Sequence, residues 1–212
     1  MIKAIFWDND GVLVDTERFY FEATKQILSS VGFNLSKEQY VDLFMVQGGG
    51  AWRLLSQQGY SDEQIDKLRN DRNELYVELL CREESTVIDG VKETLDKLKD
   101  RYYMGIVTSS RRSHFKITHR STDLLKYFNF VLAAEDYTNF KPHPEPYLLA
   151  LERSGFSKEE CVVIEDSERG LKSAKDAGLK CFIIPNELTK NSDFSKADKV
   201  LDNITEVIAN LN

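Results

Sequence analysis

Apolar positions first gather in a short unbroken run, Ala4 to Trp7, which reads as a buried strand. From Thr16 the rhythm changes. Phe19, Ala23, Ile27 and Leu28 recur at helical spacing, and Gly32 suits the stop. Ser36 is placed to cap a helix running through Met45. Ser61 with Gln64 makes a capping-box start for a long helix toward Leu80. No strand pattern emerges before about Ser85. Beyond Ile88, strands and helices alternate. Val91, Leu95 and Leu98 share one helical face, and Tyr103 to Val107 and Phe130 to Ala133 read as strands. A helix over Glu145 to Ser154 precedes a strand at Cys161 to Ile164. Gly170 to Ala177 is helical, and Cys181 to Ile184 is a further strand. Such alternation argues for a parallel sheet with right-handed crossovers. The expected fold is therefore a doubly wound α/β core over residues 1–15 and 86–212, with an all-helical insert over residues 16–85.

A length of 212 residues leaves room for such a core and its insert. The net charge of -7 argues against non-specific nucleic-acid binding, which rests on phosphate neutralisation by Lys and Arg. No apolar run approaches the length of a membrane-spanning helix. The first apolar run has no basic flank and no small-residue cleavage site, so no secretory signal is expected. Cys81, Cys161 and Cys181 form neither a CxxC pair nor a disulfide framework. Cys161 and Cys181 sit in apolar runs and are expected to be buried thiols. These features predict a cytoplasmic protein with no nucleic-acid or membrane partner; the sequence does not set the oligomeric state, for which a monomer is the default expectation.

The first strand ends in Asp8-Asn9-Asp10-Gly11. In extended backbone, residues i and i+2 project to the same side, so Asp8 and Asp10 share one small space. Two carboxylates there repel unless a cation sits between them or one keeps its proton. Turn chemistry is one reading, because Asn-Asp-Gly is a turn signal and Asp caps helices well. A calcium loop fails, since Val12 and Leu13 stand where a ligand and the sharp-turn Gly belong. The remaining reading is a metal-assisted nucleophile pair at the carboxyl end of a parallel strand, where open α/β sheets place their sites.

The other strands also lead into polar residues. Thr108-Ser109-Ser110 follows the second, Lys141-Pro142-His143-Pro144-Glu145-Pro146 comes after the third, and Glu165-Asp166-Ser167 closes the fourth. In a parallel sheet these ends lie on one edge. A carboxylate, hydroxyls, a lysine and a second acidic pair suit phosphoryl transfer, which needs a positioned nucleophile and positive charge for the phosphate oxygens. Mg2+ fits the acids, because it is held by a few carboxylates plus phosphate and water. Each piece has a plainer account. Lys141 alone could be a solvated loop residue, Glu165-Asp166 a helix N-terminus favoured by the dipole, and the prolines an exposed polyproline segment.

Asp8-x-Asp10-Gly11, the hydrophobic-Thr108 motif, Lys141-Pro142 and Glu165-Asp166, in this order, resemble the haloacid dehalogenase superfamily. A helical insert directly after the first motif is similar to its helical-cap branch, which includes phosphoglycolate phosphatases, sugar-phosphate phosphatases and β-phosphoglucomutases. The resemblance spans nearly the whole chain and implies a Rossmann-like core. It implies that Asp8 attacks phosphorus to form an aspartyl-phosphate. Asp10 would then protonate the leaving oxygen and later activate water. Thr108, with Ser109 beside it, and Lys141 would bind the phosphoryl oxygens. Mg2+ would be held by Asp8, the backbone carbonyl of Asp10 and Asp166, with Glu165 supporting. Members that cleave carbon–halogen bonds typically lack the second Asp, so Asp10 argues for phosphate. The implied substrate is a small phosphorylated metabolite.

Substrate choice is expected to come from the insert, whose closure would exclude water. Its most unusual stretch is Gln47-Gly48-Gly49-Gly50-Ala51-Trp52-Arg53, which lacks the GK[ST] ending of a P-loop. One reading is simply a loop between helices. The functional reading, drawn from the family, has Gln47, Gly48, Trp52 or Arg53 touching substrate. The mutases keep a His soon after the first motif; here Tyr20 stands in its place, which favours a phosphatase. Arg111, Arg112, His114, Lys116, His119 and Arg120 are expected to form mostly the solvated face of a helix, with Arg111 and Arg112 candidates to reach an anionic substrate. A phosphomutase and a non-catalytic phosphate-accepting or partner-binding module are the rival functions.

Overall fold

The computed structural model describes residues 1–47, 49–82 and 86–211. By its internal contacts the chain divides into two compact units, Met1–Asp15 with Ser85–Asn212, and Thr16–Glu84.

The first unit is built on six parallel strands, β1 (Ala4–Trp7), β2 (Tyr103–Val107), β3 (Phe130–Leu132), β4 (Cys161–Glu165), β5 (Lys180–Ile183) and β6 (Lys199–Val200). Their order across the sheet is β3-β2-β1-β4-β5-β6. The central strands β1, β2 and β4 are apolar on both faces along most of their length, as strands covered by helices on both sides must be. Period-two alternation sends Ile5 and Trp7 into one core with Met104, Ile106, Val162 and Ile164. Ala4 and Phe6 go into the opposite core with Val107, Val163 and Cys181. The sheet is therefore doubly wound, in agreement with the α/β expectation.

The second unit is helical. It contains α1 (Glu17–Ser29), α2 (Lys37–Tyr40), α3 (Trp52–Gln57) and α4 (Asp62–Arg82), and α1 packs along α4. The Ser61–Gln64 box forms: Ser61 N–H donates to Gln64 Oε1 at 2.9 Å, and Gln64 N–H to Ser61 Oγ at 3.3 Å. Ser36 caps α2 in the same manner with Gln39. The helix expected from Ser36 through Met45 is corrected here, because α2 ends at Tyr40 and the chain widens to a π-helix over Val41–Val46. That stretch closes with Gln47 N–H on Asp42 O, and Phe44 stacks on Tyr40 at 4.7 Å.

In the α/β unit, α5 (Val91–Leu98), α6 (Arg112–Thr118), α7 (Glu145–Ser154), α8 (Glu168–Asp176) and α9 (Val207–Asn210) cover the sheet. Val91, Leu95, Phe115 and Val207 belong to one core. Tyr147, Ala150, Leu171 and Ala174 belong to the other. The short β6 has no signature in the sequence, because two exposed residues carry no alternation. Among the described residues no helix is long and apolar enough to cross a membrane.

Candidate active site

β1 lies between β2 and β4, with Trp7 level with Ile106 and Ile164. Here the winding reverses, and open α/β sheets form their crevice beyond the strand ends at that point. Asp8 leaves β1 into this place, flanked by the ends of β2 and β4.

Lys141 reaches in from the loop before α7. Its ammonium has three N–H groups and three acceptors: Asp8 Oδ1 at 2.6 Å, Glu165 Oε1 at 2.6 Å and the Val107 carbonyl at 2.9 Å. It also lies over the Tyr147 ring, 4.8 Å from the centroid. The side chain is only 2% exposed. Burial alone would push the ammonium down, but the Asp8 and Glu165 carboxylates outweigh it and hold Lys141 above its ordinary range. Burial pushes Asp8 up to about 7; Lys141 opposes this, while Glu165 and Asp10 add to it. A nearby divalent cation would favour the ionised form.

Glu165 is saturated. Its Oε1 accepts from Lys141 and from the Tyr147 hydroxyl at 2.8 Å. Its Oε2 accepts from the amides of Asp166 and Ser167 and from the Ser167 hydroxyl at 3.0 Å. Burial would raise its pKa, but Lys141 and these hydrogen bonds lower it on balance. Gly170 lets the carboxylate sit so deep, since a Cβ there would meet Glu165 at 1.9–2.0 Å.

Asp10 takes a different environment. Its Oδ2 accepts from Thr108 Oγ1 at 3.0 Å and from Ser110 Oγ at 2.9 Å. The Ser110 amide donates to Thr108 Oγ1 and orients that hydroxyl. Asp8 thus rests on an ammonium and Asp10 on hydroxyls. Two carboxyls in unlike settings suit separate acid–base and nucleophilic roles.

Asp8, Glu165 and Asp166 offer carboxylate oxygens within 4.8 Å of one another, a donor set able to hold a metal ion. Asp166 is aimed by Asn186, whose Nδ2 donates to its Oδ2 at 2.6 Å. Gly11 makes room for this group: its φ is +89°, and a Cβ there would stand 2.2 Å from Asp166 Oδ2.

The structure therefore gathers Asp8, Asp10, Thr108, Lys141, Glu165 and Asp166 at one sheet edge. Ser109 stands there too, its buried hydroxyl without a partner among the described residues. Arg111 is exposed at the start of α6. In the helical unit, Gln47 is exposed and donates to Asp42, and Arg53 is exposed. Trp52 is buried beneath Arg69 and Arg72. Gly48 lies outside the described residues.

The expected solvated face after Ser110 is corrected in part: His114 and His119 are buried, and Arg112 pairs with Asp136. His114 packs inward on α6 with Phe115, and His119, just past the helix end, lies against the Phe115 ring. Ser110, Tyr147, Asn186 and Arg72 were not singled out from the sequence as site residues. Arg72 is 5% exposed and lies 4.1 Å from the Tyr20 ring centroid and 5.4 Å from that of Trp52. Among the described residues it has no carboxylate partner and donates to Asn73 Oδ1 and Thr24 Oγ1. Its helical spacing from Tyr76 and Ile65 was the one available signal.

Residues 5–184 match the haloacid dehalogenase-like hydrolase family. The chain is 30% identical over 207 residues to protein CbbY of Rhodobacter capsulatus, covering 93% of this chain and 91% of that one. It is 30% identical over 184 residues to a phosphorylated carbohydrates phosphatase of Thermotoga maritima, covering 84% and 83%. A crystal structure of a CbbY variant from Rhodobacter sphaeroides with xylulose-(1,5)bisphosphate superposes with a TM-score of 0.85 at 26% identity, covering 100% of both chains.

Proposed function

The chain belongs to the haloacid dehalogenase-like hydrolases, and from that premise we propose that it is a Mg2+-dependent phosphatase acting on a small phosphomonoester. The reading rests above all on one observation: a buried carboxylate, Asp8, is paired with Lys141 beside a second carboxyl, Asp10, held on two hydroxyls. The names of the relatives, a phosphorylated carbohydrates phosphatase among them, support a sugar phosphate or similar metabolite as substrate.

Asp8 attacks phosphorus, the bond to the leaving oxygen breaks, and Asp10 gives that oxygen its proton. Water then attacks the phosphorus of the aspartyl-phosphate and yields its proton to Asp10, which frees Asp8 and inorganic phosphate. Lys141 and the unpaired Ser109 hydroxyl serve the phosphoryl oxygens. Thr108 spends its hydroxyl on Asp10 in this arrangement and so acts on the acid. Asp8, Asp166 and the Asp10 carbonyl would hold Mg2+, with Glu165 supporting from behind Lys141. The hard oxygen donors suit that ion, which supplies charge neutralisation at the phosphate. In the helical unit, Arg72 is the residue we assign to substrate recognition, because a buried guanidinium without a carboxylate favours an anionic group.

The test is phosphate release from sugar phosphates, phosphoglycolate, nucleotides and p-nitrophenyl phosphate, with Mg2+ and with EDTA. Mg2+-dependent release from one class far above the rest establishes the activity. Phosphate that stays on Asp8 without release would turn the reading to a mutase or a phosphate-accepting module.

A further inference from the structure

Asn9, between the nucleophile and the acid, is fully buried, and its side chain reaches a histidine 110 residues away in sequence. His119 Nε2 lies 2.7 Å from Asn9 Oδ1, and His119 Nδ1 lies 2.9 Å from Thr122 Oγ1. The Leu124 amide also donates to Thr122 Oγ1. Asn9 Oδ1 can only accept, so Nε2 carries the ring proton and donates it to Asn9, and Nδ1 of the neutral ring accepts from the Thr122 hydroxyl. Burial pushes His119 down to about 4, against a smaller opposing pull from Asp10, so the ring is neutral.

The Asn9 carbonyl accepts from the amides of Val12, Leu13 and Val14 at 3.3, 2.9 and 3.1 Å. The turn that presents Asp10 therefore pivots on Asn9. Asn9 Nδ2 is buried without a hydrogen-bond partner, so His119 is the anchor of that side-chain amide among the described residues. Without it, a buried amide would be left unmet, which favours rearrangement of the turn.

We propose that His119, held by Thr122, is a positioning residue that sets the Asp10 carboxyl through Asn9. This inference rests on the phosphatase reading above. Asp10 is gripped twice: at its carboxyl by Thr108 and Ser110 from the β2–α6 loop, and at its backbone through the bond from His119, just after α6, to Asn9.

The experiment compares kcat/KM of wild type, His119→Leu and His119→Gln on an alkyl phosphate, such as a sugar phosphate, and on p-nitrophenyl phosphate. This parameter reports the chemistry through loss of the leaving group. Only the alkyl oxygen needs a well-placed acid. His119→Leu should lose about tenfold or more on the alkyl ester beyond its loss on the aryl ester. His119→Gln keeps a donor for Asn9 and should restore most of the difference. Equal losses on both esters, or no rescue by Gln, would overturn the proposal while leaving the phosphatase reading intact. A wild type inactive on both esters would sink that reading and this inference with it. Should the Leu variant not fold, 15N NMR of wild-type His119 decides: the Nε2–H tautomer is expected, and an Nδ1–H ring overturns the anchor.

Discussion

Lys141 is bound to Glu165 as closely as to Asp8, with Nζ 2.6 Å from an oxygen of each. The lysine is therefore held by a carboxylate that takes no bond-forming part in the proposed reaction. In the proposed reaction, once Asp8 is phosphorylated, Glu165 would still fix the ammonium beside the phosphoryl oxygens. Removing the lysine would leave two buried carboxylates facing each other.

Lys141→Ala should lower kcat/KM by about 10²–10³, the usual loss for one charge-stabilising donor. It should also cost roughly 3–5 kcal/mol of stability, as expected on breaking a buried pair. Steady-state kinetics and urea unfolding measure the two effects, and unchanged kcat/KM would remove Lys141 from the site.

Asp8→Asn should abolish turnover, whereas Asp10→Asn should reduce kcat/KM by about 10²–10⁴ on an alkyl ester and by less on p-nitrophenyl phosphate. Retention of the wild-type rate by Asp8→Asn would rule out the covalent route.

Glu165→Gln cannot satisfy its surroundings, because an amide NH2 would face the donating N–H groups of Asp166 and Ser167. We expect Mg2+ affinity about 10–100-fold weaker, the common cost of losing a group that supports metal ligands. Calorimetric titration with Mg2+ is the readout, and an unchanged dissociation constant would count against a supporting role.

Gly170→Ala runs against helix propensity. Replacing Gly by Ala inside α8 would ordinarily gain about 1 kcal/mol. Here the new methyl would strike the Glu165 carboxylate. The variant should instead lose about 1–3 kcal/mol, the range for overpacking, together with activity. A more stable variant with wild-type activity would show that Glu165 has room to move.

His119 links stability to pH. Its folded pKa is about 4, below the ordinary 6.5, so the unfolded chain takes up a proton first as pH falls. Its contribution is complete above pH 6.5 and is lost progressively between 6.5 and 4, amounting to about 3 kcal/mol. Urea unfolding of wild type and His119→Gln at pH 7 and pH 4.5 isolates this part from the carboxylates. The wild type should lose more over that interval than the variant, and identical slopes would place the ring in water.

Five of the six strands, and the polar residues at their ends, are legible in the chain itself. Unbroken apolar runs such as Ala4 to Trp7 and Cys161 to Ile164 are legible because strands covered on both faces carry no polar position. Parallel order then aligns their ends, so Asp8, Thr108 and Glu165 could be grouped without coordinates. Tertiary structure alone decided which partner each side chain met. Asp8 and Asp10 are both aspartates two residues apart, yet one rests on an ammonium and the other on hydroxyls, because Lys141 and Ser110 arrive from distant segments. His119 looked like one more charge on a solvated helix, and Arg72 like one more residue of a polar one. Local spacing says which face a residue shares, but burial depends on what the rest of the chain lays against that face. That is a property of packing between segments, and no window of neighbouring residues contains it.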